Sequence, residues 1–403
     1  MSALKYWLWL SGAEVSARSK AALFKYYGGA QEAFMAPKGD YAHVDGLTGR
    51  DREILEKREL HRADEIWGEC ERQHLDIITF QDARYPRRLK NIYSPPAVLY
   101  VRGKLPNVDE NAAIAVVGTR RASYYGVKMA RSIANDIVRC GAVVISGLTR
   151  GIDAAAAEGA LLADGRVIAV LGTSHEKDKN FLSADVAVKG AVISEYGPGM
   201  PMKNAYFRER NRVSAGLSVG VVAVEAPESS GTALFVAEAA EQGKEIFAVP
   251  TTADSHSGAG TLEMLKDGAR LITCGWDAVN EFEYLFPGKL HPPKEGSAVE
   301  KTAPAEEDSP AKPDKKPTET TNKVIDKEND KGYIDLKEQL SGLSETQLQI
   351  ITAIDSKSSH IDDIIEATGL PTATVLAQLT VLEIKGFVRR EAGRRISLNT
   401  AKK

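Results

Sequence analysis

Apolar residues recur at helical spacing through the first part of the chain. The spacing predicts short helices over Leu4–Leu10, Ser16–Tyr27, Gln31–Met35 and Arg50–Cys70, parted by glycine-bearing turns. At Asp76 the pattern changes. DIITF, AVLYVRG and AAIAVVG are near-continuous apolar runs of strand length, and strands then alternate with helical stripes. The predicted strands Ala113–Val117, Ala142–Ser146, Val167–Leu171, Ala191–Ser194, Val219–Val224 and Ile246–Val249 are interleaved with predicted helices over Tyr124–Arg139, Asp153–Leu162, Leu182–Val188, Ala205–Ala215, Thr232–Glu241 and Thr261–Lys266. Strands apolar along their whole length, joined by helices, imply a parallel sheet covered on both faces, a doubly wound Rossmann-like α/β fold.

The pattern breaks again after Phe286. From Pro287 to Gly332 there are seven prolines, many lysines and glutamates and no aromatic residue, a composition that cannot bury enough apolar area to order itself. Globular patterning returns near the C-terminus: a helix capped by Ser344 and running to Ile354, a second over Ile361–Ala367, a turn at Thr368–Leu370 and a third over Pro371–Ile384. FVRREAGRRISL then reads as a hairpin turning at Ala392–Gly393, and three helices followed by a hairpin predict a winged helix. The expected domains are a helical SAM-like or helix-hairpin-helix-like unit at 1–74, the Rossmann-like unit at 75–286, a disordered linker at 287–335 and the winged helix at 336–403.

Composition narrows the class without naming a ligand. A hydrophobic fraction of 43%, a charged fraction of 27% and a net charge of -3 are those of a globular protein with no global basic surplus, so any surface for a polyanion must be local. Cys70, Cys140 and Cys274 stand far apart without a CxxC, which argues against a disulfide framework or zinc site and predicts buried thiols. The apolar start Leu4–Leu10 is too short and too aromatic for a signal sequence, and no run reaches the roughly 18 apolar residues of a membrane span. A cytoplasmic protein is expected.

In open parallel sheets ligands bind beyond the carboxyl ends of the strands. Those ends read Gly118–Thr119–Arg120–Arg121, Ser146–Gly147–Leu148–Thr149–Arg150–Gly151, Gly172–Thr173–Ser174 and, after Glu225, Ser229–Ser230–Gly231–Thr232. Glycines let backbone N–H groups approach an anion while hydroxyls and a helix N-terminus donate to it. GTRRAS lacks the G-x-G-x-x-G of dinucleotide sites, and the chain holds no G-x-x-x-x-G-K-[ST]. Arg120 instead stands where a pyrophosphate usually lies. KNAYFRERNRVSAGLS adds Lys203, Arg208, Arg210 and Arg212 among Tyr206, Phe207 and Asn211, and arginines with aromatics suit single-stranded nucleic acid.

The ordered series YPRRL, PPAVLYVRG, IAVVGTRRAS, VVISGLTRGID, ISEY, FRERNRVSAGLS, VVAVEA and SGT, spread over Tyr85–Leu271, resembles the DNA-processing protein DprA (Smf) family. The resemblance implies binding and protection of incoming single-stranded DNA, loading of the recombinase RecA in natural transformation, a homodimer, and neither catalysis nor cofactor. It places a phosphate pocket on Gly118, Thr119 and Arg120, on Ser146, Gly147, Arg150 and Gly151, and on Arg208, Arg210, Asn211 and Arg212, closed by Gly231 and Thr232. A basic loop corresponds to Lys177, Lys179, Asn180 and Phe181. The chain departs from the family where GID is followed by AAAA without a histidine, and where the loop after Leu171 reads GTSHEKDKN.

Single residues receive plainer readings. His175 is expected as a solvated loop histidine, Asp153 as a helix cap, and Glu195 and Glu225 as carboxylates that orient arginines. The rival class is a nucleotide-processing enzyme of the phosphoribohydrolase-like superfamily, which needs a glutamate where this chain has Ala233–Leu234–Phe235. A second rival makes the winged helix the DNA reader, but its third helix has neither Arg nor Lys and only the hairpin is cationic, through Arg389, Arg390, Arg394 and Arg395.

Overall fold

The structure is a computed structural model that describes residues 3–293, 345–354, 359–370, 372–384, 387–391 and 395–398. Two compact units divide the chain, 1–304 and 305–403. The expected linker from 294 on, the Ser344 cap, Pro371 and the Ala392–Gly393 turn lie outside the described residues.

The first unit opens with helices α1 (Leu4–Gly12), α2 (Ala17–Tyr27), α3 (Ala30–Met35), α4 (Gly49–Glu56) and α5 (His61–Arg72). Local chemistry sets their ends. Ser16 accepts the Ser19 N–H at 3.0 Å to start α2, and Gly28 ends it at φ 80°, a left-handed conformation that costs glycine little. Arg50–Cys70, expected as one helix, is two. Arg58 takes φ 48° and its guanidinium donates to the Ala36 carbonyl at 2.6 Å, which breaks the helix between α4 and α5. The apolar period runs across the break because Leu55 and Ile66 enter one core with Trp7, Leu8, Phe24 and Tyr41. That core continues into Ala97, Val98 and Tyr100, so the helical layer is packed on the sheet.

Nine strands form the sheet: β1 (Asp76–Thr79), β2 (Val98–Gly103), β3 (Ala113–Gly118), β4 (Val143–Ser146), β5 (Val167–Val170), β6 (Ala191–Ser194), β7 (Gly220–Glu225), β8 (Glu245–Ala248) and β9 (Arg270–Leu271). Their order is β1-β2-β6-β5-β4-β3-β7-β8-β9. Strands β3 to β9 pair in parallel, but β2 runs antiparallel to both β1 and β6, so the sheet is mixed at one edge rather than parallel throughout. The physical reason lies in the Phe80–Ala97 connection, whose one-turn helix α6 (Arg87–Lys90) is no crossover, and the chain returns antiparallel.

Both faces of the parallel part are covered. Ile114 and Val116 of β3 pack toward α7 (Tyr124–Arg139) and α8 (Ile152–Leu162), whereas Ala113, Ala115 and Val117 pack with α10 (Asn204–Leu217) and α11 (Gly231–Glu241). This is why the strands read as continuous apolar runs. The short helices α9 (Ser183–Lys189), α12 (Ala259–Lys266) and α13 (Gly275–Val279) complete the layers. Leu290 is buried in the α7 face and the His291 N–H donates to the Cys140 carbonyl at 3.2 Å, so the first residues of the expected linker are packed. Cys70 and Cys140 are buried as expected; Cys274 is half-buried. Among the described residues no helix is long and apolar enough to cross a membrane.

The second unit holds α14 (Glu345–Thr352), β10 (Ser359–His360), α15 (Ile361–Thr368), α16 (Thr372–Ile384), β11 (Val388–Glu391) and β12 (Arg395–Leu398). β12 pairs antiparallel with β11 and β10 around a core that includes Ile350, Ile364, Leu379 and Ile396. It is a winged helix, with β10 the strand that periodicity does not predict.

Candidate nucleic-acid interface

The winding of the sheet reverses between β3 and β7, and a crevice opens beyond their carboxyl ends, the usual ligand position in such sheets. Three loops build its floor. The Thr119 N–H donates to the Glu225 carbonyl at 2.7 Å and the Thr119 carbonyl accepts from the Ile152 N–H at 3.2 Å, which ties the β3 loop to β7 and to α8. Gly151 allows this closeness: it has φ 88°, and a β-carbon there would strike the Thr119 carbonyl. Ser146, fully buried, donates to the Asp153 carbonyl at 2.8 Å and accepts from the Leu148 N–H at 3.1 Å, bracing the β4 loop while Leu148 takes φ 50°.

The resulting cleft has a volume of about 890 Å³. Gly118, Thr119, Arg120, Arg150, Arg208, Arg210, Asn211, Gly231 and Thr232, all named by the sequence, line it. Among the described residues five arginines face it (the fifth is Arg121) against one carboxylate, Asp153, so a chain of net charge -3 concentrates positive potential here. The guanidinium of Arg120 lies over the Phe207 ring at 5.6 Å. α11 begins at the opposite wall, capped by Ser230, and brings the positive end of its dipole and first-turn N–H groups to the cleft.

Arg210 is the unusual member. It is 5% exposed, and its guanidinium occupies the space that a side chain at Gly147 would fill. Among the described residues its Nε has no hydrogen-bond acceptor and it forms no ion pair. Burial pulls its pKa down, opposed by the nearby Asp153 carboxylate, yet a guanidinium stays protonated. Asp153 is pushed up by burial and drawn back by Arg210, the Thr149 hydroxyl and the Gly118 N–H. The Thr149 hydroxyl donates to Asp153 at 2.9 Å, so Asp153 braces the floor instead of capping α8, whose N-cap is Gly151.

Several expected site residues lie elsewhere. Arg212 forms a buried two-point ion pair with Glu195, at 3.1 and 2.6 Å, away from the cleft. Alternate positions share a face on a strand, not on a helix; Asn204, Phe207, Arg208 and Asn211 of α10 line the cleft at helical spacing, and the buried Arg210 also reaches it. Glu195 therefore orients an arginine, though not one of the cleft. Among the described residues Glu225 orients no arginine: its carboxylate accepts the Ser123 N–H at 2.8 Å and the Ser257 hydroxyl. Ser146, Gly147 and Gly151 act beneath the cleft, not on its surface. Lys177 donates to the Met200 carbonyl, and the Asn180 amide donates to the Leu148 carbonyl, fastening the loop after β5 to the loop that carries Arg150. Lys179 and Phe181 on that loop are exposed and outside the cleft lining. His175 is not solvated. It is buried with Nε2 2.9 Å from the Tyr100 carbonyl, and burial lowers its pKa. Arg121 and Phe207, named by the sequence among the strand-end and arginine–aromatic segments but not placed in the pocket, also line the cleft, as do Leu234 and Asn204; helical spacing from Arg208 and Asn211 is the available signal for Asn204 and Phe207.

A doubly wound sheet with arginines, glycines and a helix N-terminus at its switch point defines a Rossmann-like protein with a cationic cleft. Comparison with known proteins narrows this class. Residues 76–283 match the family described as DNA recombination-mediator protein A, and residues 336–394 match the DprA winged helix domain. The chain belongs to the DNA recombination-mediator protein A (DprA) family. It is 31% identical over 335 residues to protein Smf of Synechocystis, covering 81% of each chain, and 33% identical over 250 residues to the DNA processing protein DprA of Streptococcus pneumoniae, covering 61% of this chain and 87% of that one. The X-ray structure of the S. pneumoniae protein superposes with a TM-score of 0.60 at 29% identity, covering 68% of this chain and 96% of that one. Membership of this family gives the chain a DNA-processing or recombination-mediator role.

Proposed function

We propose that the cleft holds successive phosphates of single-stranded DNA, and that the protein protects this strand and delivers it to the recombinase RecA in natural transformation, as a homodimer and without catalysing a reaction. The observation that carries the binding step is Arg210. A buried cation with an unsatisfied Nε is costly unless an anion completes it, and a phosphate reaching the cleft floor supplies that partner. Arg120, Arg121, Arg150 and Arg208 at the rim extend the positive surface beyond one phosphate. The described residues of α11 that face the cleft, Gly231, Thr232, Ala233, Leu234 and Phe235, include no acid for a nucleotide-hydrolysing reaction. RecA delivery, protection and the homodimer rest on the family resemblance.

The test is a mobility-shift comparison of single-stranded and duplex DNA of equal length, with wild type and Arg120→Ala. Tighter binding of the single strand is expected, and the exposed Arg120 should weaken it on removal and flatten the log–log salt dependence by about 0.7 for each phosphate no longer neutralised. Unchanged affinity and slope in the variant would refute the cleft as the site. Adenine release from AMP would revive the enzyme reading.

A further inference from the structure

We propose that Tyr124, on the helix that follows the cleft's Arg121, is a base-stacking platform for single-stranded DNA outside the cleft. The proposal rests on the phosphate-binding reading above and adds a second kind of interaction to it. Tyr124 is the first residue of α7, three positions after Arg121, and is 87% exposed. Among the described residues no aromatic ring stacks on it and no cation lies over it. Its mounting is rigid. The Ser123 N–H is held by the Glu225 carboxylate at 2.8 Å, the Ser123 hydroxyl accepts the Gly126 N–H at 3.0 Å, and the Tyr125 hydroxyl donates to the Pro250 carbonyl at 2.9 Å. A large ring is thus kept in water on a fixed element, three residues along the chain from the cleft's Arg121 and just outside the residues that line the cleft.

The β5 side has a matching feature. Phe181, 75% exposed, follows Asn180, whose amide is tied to the Leu148 carbonyl on the β5 side. The strands between run β5-β4-β3-β7-β8, four spacings or about 19 Å of sheet edge. Cations occupy the middle of this edge, Phe181 is on the loop at the β5 side, and Tyr124 precedes Tyr125, whose hydroxyl reaches the Pro250 carbonyl after β8. A strand whose backbone follows the arginines leaves its bases unpaired, and every base has a face that stacks on an aromatic ring. Duplex DNA keeps its bases in the helix and gains nothing from the ring, so Tyr124 favours single strands.

The experiment measures Tyr124→Ala and Tyr124→Phe by fluorescence anisotropy against an oligothymidylate and an abasic strand of the same length, each over a salt series. Tyr124→Ala should lose about 5- to 150-fold in affinity for the base-bearing strand. Its affinity for the abasic strand and its salt slope should match wild type, because every cation that neutralises a phosphate is still in place. Tyr124→Phe should bind as wild type. Equal weakening on both strands, a flatter slope, or no weakening overturns the proposal; the first two are what a phosphate ligand predicts, and the last is what a protein-docking tyrosine predicts. Arg120→Ala measured alongside separates the failures: if it weakens both strands while Tyr124→Ala weakens neither, stacking is wrong and the phosphate cleft stands.

Discussion

Arg210 and Arg212 sit two residues apart on one helix and should respond oppositely to the same change. Arg210→Met removes a buried guanidinium whose Nε is unsatisfied and which has no ion-pair partner among the described residues. An unsatisfied buried polar group costs about 1–3 kcal/mol, so its removal offsets the missing attraction to Asp153, and the fold should keep its stability within about 1 kcal/mol or gain. Arg212→Met instead strands the Glu195 carboxylate, buried to the same degree as its partner. Breaking such a pair costs about 3–5 kcal/mol. For a domain of this size that is a fall in Tm on the order of 6–20 °C. Binding should reverse the ranking. Arg210→Met removes a charge-assisted hydrogen bond worth about 1.5–3 kcal/mol, or roughly 10- to 150-fold in Kd for single-stranded DNA, while folded Arg212→Met keeps the wild-type salt slope. Calorimetry with anisotropy titration of both variants checks this. Equal destabilisation by the two changes, or a salt slope that falls in Arg212→Met and not in Arg210→Met, would show that the division of α10 into a cleft edge and a buried edge is wrong.

Two further outcomes follow from neighbouring residues. Gly147→Ala places a β-carbon in the volume of the Arg210 guanidinium, a flexible group that can move, so DNA affinity should fall toward that of Arg210→Met while Tm changes little; wild-type affinity would mean that the position of Arg210 is immaterial. Lys20 of α2 donates to the Ser11 carbonyl at 2.5 Å, and desolvation lowers its pKa to about 8 against the pull of Glu195 and Glu209. The unfolded chain, with an ordinary lysine pKa of about 10.4, then binds the proton more strongly, so this group makes stability rise with pH between those two values, with a slope of at most about 1.4 kcal/mol for each pH unit. Subtracting the stability of Lys20→Met from that of wild type across this window should show the rise, and a flat or falling difference would contradict the desolvated, half-buried placement of the ammonium group.

Much of the cleft is legible because its parts are local. A glycine after a strand, a cation beside it and a serine ahead of a helix are short-range signals, and Gly118, Thr119, Arg120, Arg150, Gly231 and Thr232 meet where the order of elements places them. The errors share one origin. Sequence neighbours suggest roles for Arg212, Glu225 and His175, whereas their partners are Glu195, the start of α7 with Ser257, and the Tyr100 carbonyl, each remote in the chain.

By itself the sequence determined the period of each segment, and with it the alternation of strands and helices, the helical first layer and the winged helix at the end. Periodicity follows from backbone geometry and is written residue by residue. Only the tertiary structure decided that β2 runs antiparallel to β6, that Arg58 breaks a helix within a continuous apolar stripe, and that Arg208 and Arg210 of α10 enter the cleft while Arg212 is locked beneath the helical layer. Those outcomes depend on which surfaces meet. A buried charge takes the partner that folding brings to it, and no local pattern encodes that partner's distance.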